Sequence, residues 1–405
     1  MFHVDSEVGR LRQVVLHRPG LELRRLTPDN ASELLFDGVL WVDRAQAEHD
    51  ELADALRARG VIVHYYNDLL TQTLDISRAR EYVLDRVFDS RLHGPLACEA
   101  LRAAADGLDS ATLAQALTGG ITKQEILDLA PEPKSIAFHS LAADGFVLPP
   151  LPNLLYQRDT SCWIYSGVSV NAMAMPARIR EIYNDEAIYR WHPMFAGGGF
   201  EVWYHGEDAA PATIEGGDVL VLGNGAVLVG MSERTTPQAV EMLAHRLFSA
   251  GVARVLVAID MPKARAFMHL DTVMTMCDYG VFTKYLGLGM LPSYTVEPGA
   301  SARELKVTDH PPEDMHSAIA AALGLPSITV LSASQDVEAA QREQWDDGCN
   351  VLAIEPGVVV AYDRNVTTNS YLEDSGIEVV AVPGSELGRG RGGPRCMSCP
   401  IERDA

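Results

Sequence analysis

The chain has 405 residues, of which 47% are hydrophobic, and its 33 basic and 55 acidic side chains leave a net charge of −22. That acidity repels nucleic acid and anionic membrane over most of the surface, and no basic binding stripe offsets it. No apolar run reaches the ~18 residues of a membrane span, and MFHVDSEVGR lacks the apolar stretch of a signal peptide, so the expected compartment is the cytoplasm.

In chain order, LRQVVLHRPG, a helix over Arg44 to Arg59 and VIVHYY predict a strand, a helix and a strand. From Leu69 to about Ala143 the sequence turns helical, rich in Ala, Leu, Glu, Asp and Arg, with little β character. Within it, ITKQEILDLA places Thr122 and Glu125 as the two halves of a capping box. At Arg158 a β-rich unit begins: DTSCWIY, a turn at SG, VSVNAM, and a helix opening at Pro176 and Ala177. The clearest copy of that unit spans 217–260, where DVLVL and AVLVGM flank GNG, Thr236 and Pro237 start a helix, and VARVLVAID closes. HLDTVMTMCDYGVFTKY supplies another hairpin, and NVLAI, EPG, VVVAY and IEVVAV another unit. An arginine follows the second strand in three copies: Arg178, Arg234 and Arg364.

Repetition of a sheet-forming ββαβ unit over this length points to radial closure, which removes open sheet edges. The expected fold is therefore α/β, a five-bladed pseudo-symmetric α/β propeller. Residues 1–68 and 144–405 form its catalytic body, and 69–143 form an inserted helical domain.

Polar residues gather at the starts of these units. PNLLYQRD carries Asn153 and Asp159, EGGD carries Glu215, and MHLDT puts His269 and Asp271 two apart, on one face if extended. GRGRGGPRCMSCPI brings Cys396 just past the last expected strand. In a radial fold, equivalent ends of the units meet near one axis. That would join one thiol, one imidazole and three carboxylates, a set suited to a planar cation such as a guanidinium. The thiolate would attack, and His269 would protonate the leaving ammonia and deprotonate water.

Each feature also has a plainer reading. His-x-Asp is commonly a structural pair, EGGD a turn, and arginines after strands surface charges. The six cysteines sit mostly in apolar stretches and read as reduced core thiols. The CxxC of Cys396 and Cys399 has no second CxxC or CxxH, which argues against zinc.

Taken together and in order, SEVGRLRQVVLHRPG, LLFDGVLWV, PNLLYQRD, EGGD, ERTTP, MHLDT, REQWDDG and SELGRGRGGPRCMSCPI resemble the bacterial arginine deiminases of the guanidino-group modifying (pentein) superfamily. The resemblance covers nearly the whole chain. It implies the five-bladed propeller with a helical insertion, no cofactor and no metal, and hydrolysis of free L-arginine to L-citrulline and ammonia. Cys396 is then the nucleophile and His269 the general acid and base. Asp159 and Asp271 grip the guanidinium, with Glu215 as third carboxylate. Arg178 and Arg234 clamp the α-carboxylate with Asn153 assisting, and Arg391 sits in a mobile glycine-rich loop that covers the substrate. Cys399 has no catalytic role and reads as packing, and the family suggests a homo-oligomer, a dimer or larger.

Three residues depart from the family pattern. Tyr156 and Gln157 replace the aromatic and Thr of an FTRD-like stretch, and Arg395 stands where some members have His. The charge of Arg395 is expected to lower the Cys396 pKa. Rival readings are an amidinotransferase, a dimethylarginine hydrolase, a peptidyl-arginine modifier, a binding protein, and a metalloenzyme using His269, Asp271 and the two C-terminal cysteines.

Overall fold

The computed structural model describes residues 2–301, 304–334 and 336–405. Five sheets share one plan, an antiparallel pair whose second strand lies parallel to a third. They are Ser161–Ile164, Gly167–Val170 and Glu201–His205; Val219–Gly223, Ala226–Met231 and Val255–Asp260; Met274–Asp278, Val281–Lys284 and Thr329–Leu331; Leu352–Glu355, Val358–Tyr362 and Glu378–Val382; and Cys399–Arg403, Leu11–Leu16 and Ile62–Tyr65. Ser293–Pro298 and Leu305–His310 widen the second of these.

The plan follows from local chemistry. Four of the five antiparallel pairs close on a short turn, and in three of them Gly225, Gly280 and Gly357 supply a positive φ, of 70°, 68° and 76°. The parallel strand needs a crossover, which a helix provides: Ile179–Trp191, Pro237–Ser249, Met315–Leu323, Val366–Asp374 and Val42–Ala58. Thr236 caps the second of these through Ala239 N, ahead of Pro237. The middle strand Ala226–Met231 is buried throughout, as a strand covered on both faces must be.

The last strand lies outside the sequence expectation. Rather than fraying, Cys399–Arg403 pairs antiparallel with Leu11–Leu16, Val15 opposite Cys399, and completes the sheet begun by the N-terminal strand. The segment before that strand stitches sheets together: His3 N donates to Ile401 O, Val4 N to Tyr165 O and Glu7 N to Val221 O.

Between residues 66 and 139 the chain is mostly helical, with helices at Tyr66–Leu74, Ser77–Val87, Cys98–Asp106, Ser110–Gly119 and Lys123–Leu129. The Thr122–Glu125 capping box forms. Ile121–Thr122 also pairs with Phe146–Leu148, so this stretch does carry a small sheet. Leu70, Val83 and Leu117 share one apolar cluster with Ile164 and Val170 of the first sheet and Val229 of the second, so its core is continuous with that of two sheets. No helix among the described residues is long and apolar enough to cross a membrane.

The burial of the C-terminal strand has a measurable consequence. Ile401 is fully enclosed, and Ile401→Ala should lower urea-unfolding stability by about 2–5 kcal/mol. A loss below about 0.5 kcal/mol, the surface range, would show that the terminus is not part of the core.

Candidate active site

Three of the expected motifs fold into short turns just ahead of the inner strands. PNLLYQRD forms a 3₁₀ turn, Pro152–Leu155, and a helical turn, Gln157–Thr160, before Ser161. Gln157 is therefore in a helix rather than a strand entrance, and its Nε2 donates to Leu154 O at 2.8 Å. EGGD turns at Gly216–Asp218. MHLDT is not extended either: Leu270–Thr272 is a 3₁₀ turn, closed by Thr272 Oγ1 donating to His269 O at 2.7 Å. Buried Asp218 bends it, accepting from Leu270 N at 2.9 Å, and is itself held by Ser232 and Thr235 at 2.6 and 2.7 Å.

These turns bring the expected residues together. His269 Nε2 lies 2.8 Å from Glu215 Oε2, and its Nδ1 lies 3.6 Å from Asp159 Oδ1. Burial opposes a charged imidazole, but Asp159, Glu215 and Asp218 outweigh it and raise the His269 pKa to about 9. Burial likewise opposes ionised Glu215, and His269 and Arg234 overcome it to hold that carboxyl low. Gly217 is required by close approach, because a Cβ there would stand 2.6 Å from His269 Nδ1 and 3.0 Å from Asp159 Oδ1.

Cys396 is held by Asn350, a residue that motif reading did not single out. Asn350 Oδ1 accepts from Cys396 N and Nδ2 donates to Cys396 Sγ, both at 3.0 Å, while Nδ2 also reaches Asp271 O at 3.1 Å. The signal was its place at the start of a unit, like Asp159 and Glu215. Cys396 Sγ lies 3.6 Å from Asp271 Oδ2, and that oxygen receives Arg395 NH1 at 2.7 Å.

The expectation of a lowered thiol pKa is overturned. Burial, then Asp271, Asp159 and Asp347, push the Cys396 thiol well above its ordinary value, and Arg395 offsets only part of this. The reason is geometric: the Arg395 guanidinium is spent on Glu7, Asp271 and Val219 O.

Asn153, Asp159, Arg178, Arg234, His269, Arg391 and Cys396 line one cavity, joined by Leu35, Tyr156, Arg265, Met268 and Gly390. Glu215 and Asp271 contact the residues of this lining from behind. The cavity is about 20 Å³, room for about one water. Arg178 is fully engaged, donating to Asp159 Oδ2 at 2.5 Å, to Glu181 at 2.9 Å and to Asn153 O at 3.0 Å. Arg234 meets Glu215 at 3.4 Å and Glu233 at 3.1 Å. The third repeated arginine, Arg364, stays apart and pairs with Asp346 at 3.2 Å.

Arg391 is buried, with φ at 65° and its guanidinium carbon 3.5 Å from the Trp345 ring centroid. None of its guanidinium nitrogens has a hydrogen bond. The neighbouring glycines serve close packing: a Cβ at Gly390 or Gly392 would strike Tyr156, and Tyr362 Oη donates to Gly392 O at 2.8 Å.

Asp159 Oδ1 and Asp271 Oδ1 are among the buried carboxylate oxygens without a hydrogen-bond partner, as are Asp185 Oδ2 and both oxygens of Asp347. Asp159, Glu215 and His269 are the one group among the described residues with metal-ligand spacing, their donor atoms lying within 4.8 Å of one another. Both imidazole nitrogens already face carboxylates, which suits a doubly protonated ring with no lone pair for a metal. Cys399 takes other partners than Cys396, its Sγ lying 3.4 Å from Ser161 O and 3.9 Å from Tyr189 Oη.

A family model described as arginine deiminase matches residues 32–403. Among solved structures, the chain is similar to an amidinotransferase of the saxitoxin biosynthetic pathway of Microseira wollei, at 13% identity over 100% of this chain and 98% of that one, with a TM-score of 0.57. It is similar to inosamine-phosphate amidinotransferase of Streptomyces griseus at 14% identity, covering 100% and 97%, with a TM-score of 0.53. The N-terminal domain of an arginine dihydrolase of the cyanobacterial ornithine-ammonia cycle aligns at 11% identity over 96% and 97%, with a TM-score of 0.55, whereas the chain spans 39% of the full-length enzyme. At such identities the likeness is one of fold.

Two outcomes test this geometry. Gly217→Ala should displace His269 and Asp159 and cut whatever turnover the site supports roughly a hundredfold, measured as kcat/KM. In the free protein, Cys396 should react slowly with iodoacetamide at neutral pH, the rate still climbing beyond pH 9; a plateau below about 8.5, the free-thiol value, would contradict the raised pKa.

Proposed function

Because the chain belongs to the arginine deiminase family, we propose that it hydrolyses free L-arginine to L-citrulline and ammonia through a covalent amidino-cysteine (thiouronium) on Cys396. The supporting observation is the pair of orphan carboxylate oxygens, Asp159 Oδ1 and Asp271 Oδ1, beside a thiol and an imidazolium. A buried charged acceptor without a donor is costly, and a guanidinium supplies donors and opposite charge at once. In the same reading the five sheets are the blades of a closed ring, with the site at its axis.

The thiol gives up its proton as the substrate cation arrives, Asp271 Oδ2 being the acceptor nearest its sulfur. The thiolate adds to the guanidinium carbon. His269 donates its proton to the departing nitrogen, the C–N bond breaks, and ammonia leaves a thiouronium on sulfur. Neutral His269 then takes a proton from water, hydroxide adds to the same carbon, and the C–S bond breaks to return the sulfur and release the ureido product. The ammonia carries away the thiol's original proton as ammonium.

Arginines near the cavity suit the α-carboxylate of a free amino acid, a charge that a peptide-bound arginine lacks. Arg391 has no hydrogen bond to give up and is free to take it. Arg178 takes it only by exchanging one of its present carboxylate partners. An amidinotransferase would use the same thiol and imidazole, but would expel the amino-acid amine first and pass the amidino carbon to another amine.

With L-arginine and no added amine, citrulline and ammonia should appear in equal amounts. Cys396→Ala should abolish both, and Cys399→Ala should retain turnover. Ornithine release without citrulline would favour the transferase. The leaving step needs the imidazolium, so kcat/KM should fall as pH rises through about 9, the raised His269 value. The stability contributed by that ion, complete below the ordinary 6.5, is lost over the same rise. An unchanged kcat/KM at pH 10 would remove His269 as the acid.

A further inference from the structure

Behind the cavity lies a second cluster of buried charge that the reaction above does not use. Arg158, Arg395 and Arg403 are 4%, 1% and 3% exposed, and one carboxylate, Glu7, sits among them at 5%. Arg395 Nε donates to Glu7 Oε2 at 3.0 Å, NH1 to Asp271 Oδ2 at 2.7 Å, and NH2 to Val219 O at 2.7 Å. Arg158 NH1 lies 3.8 Å from Glu7 Oε1. Glu7 is anchored to an inner strand, its N donating to Val221 O at 2.7 Å and its Oε1 accepting from Val221 N at 3.3 Å.

The consequence falls on Asp271. A carboxylate rotates about its Cβ–Cγ bond unless one oxygen is fixed. Arg395 fixes Oδ2, so Oδ1 keeps one direction and remains the orphan acceptor. The Arg395 guanidinium is planar, and with all three of its nitrogens engaged it cannot turn without losing contacts. Glu7 also balances charge. Without it, Arg395 would face the charges of Arg158 and Arg403 with Asp271 as its one carboxylate partner, and the unbalanced positive charge would draw Asp271 toward them and away from the cavity.

We propose that Glu7 and Arg395 are positioning residues for substrate recognition: Glu7 holds the Arg395 guanidinium, which holds Asp271 with Oδ1 directed at the substrate guanidinium. This gives Arg395, next to the nucleophile in sequence, a role through Asp271 and not on the thiol. The inference rests on the arginine-binding reading above, and its test separates the two.

The experiment is calorimetric titration of L-arginine into the inactive Cys396→Ala protein, carrying in addition Glu7→Gln, Asp271→Asn, or both. Each single change should weaken binding roughly tenfold to a hundredfold, the range for losing one charge-assisted hydrogen bond. The double variant should bind no more weakly than Asp271→Asn alone, because Glu7 acts only through Asp271. A Glu7 with a merely structural role would lower the melting temperature and leave the Kd of the folded protein unchanged, or give losses that multiply; either result overturns the proposal. Should Glu7→Gln fail to fold, Arg395→Lys takes its place in the same cycle. It keeps the charge but cannot span Glu7, Asp271 and Val219 O together, and parental affinity there contradicts the idea. If Asp271→Asn itself binds arginine like the parent, the substrate reading fails, whatever Glu7 does.

Discussion

The site depends on buried carboxylates that are left one donor short. Asp159 and Asp271 each have one oxygen tied down, by Arg178 at 2.5 Å and by Arg395 at 2.7 Å, and one oxygen with no partner. Burying such an oxygen disfavours the empty site by an amount that a cationic donor recovers on binding. Everything around the pair serves to keep it in that condition. Glu181 and Glu7 hold the two arginines, Asn350 holds the sulfur, Gly217 leaves room for the imidazole, and the cavity admits almost no water.

The same charges set the resting state of the nucleophile. Full burial together with Asp271, Asp159 and Asp347 keeps Cys396 protonated, while Asp159, Glu215 and Asp218 keep His269 charged against the same burial. A neutral thiol beside an imidazolium is unreactive toward most electrophiles. In the proposed reaction, a planar cation entering between the carboxylates reverses the balance, favouring the thiolate at the moment its target is in place. Under that proposal selectivity and activation have one cause, the substrate's own charge.

Much of this was legible in the chain. Alternating and continuous apolar runs around GNG, DYG and EPG marked the hairpins, and Thr236–Pro237 and Thr122–Glu125 marked helix starts, because turn and cap chemistry is local. Asp159, Glu215, His269 and Cys396 were legible because each begins a unit or follows the last one. What was hidden depends on partners far away in sequence. Cys399–Arg403 becomes a strand only by meeting Leu11–Leu16. MHLDT turns because Asp218 captures Leu270 N. The environment of Cys396 was misjudged because Arg395 is its neighbour in sequence while its charge belongs to Glu7, 388 positions away, and to Asp271. Asn350 begins a unit too but belongs to none of the motifs, and its contacts with Cys396 give it its place in the site.

The most direct measurement is the mass of the Cys396 peptide after a steady-state reaction with L-arginine is quenched in acid. If sulfur displaces ammonia while the carboxylates grip the guanidinium, that peptide carries one arginine less one ammonia. A bare amidino group on Cys396 would mean that the amino-acid part leaves first, as a transferase requires. An unmodified Cys396 under conditions where citrulline accumulates would contradict covalent catalysis at this sulfur.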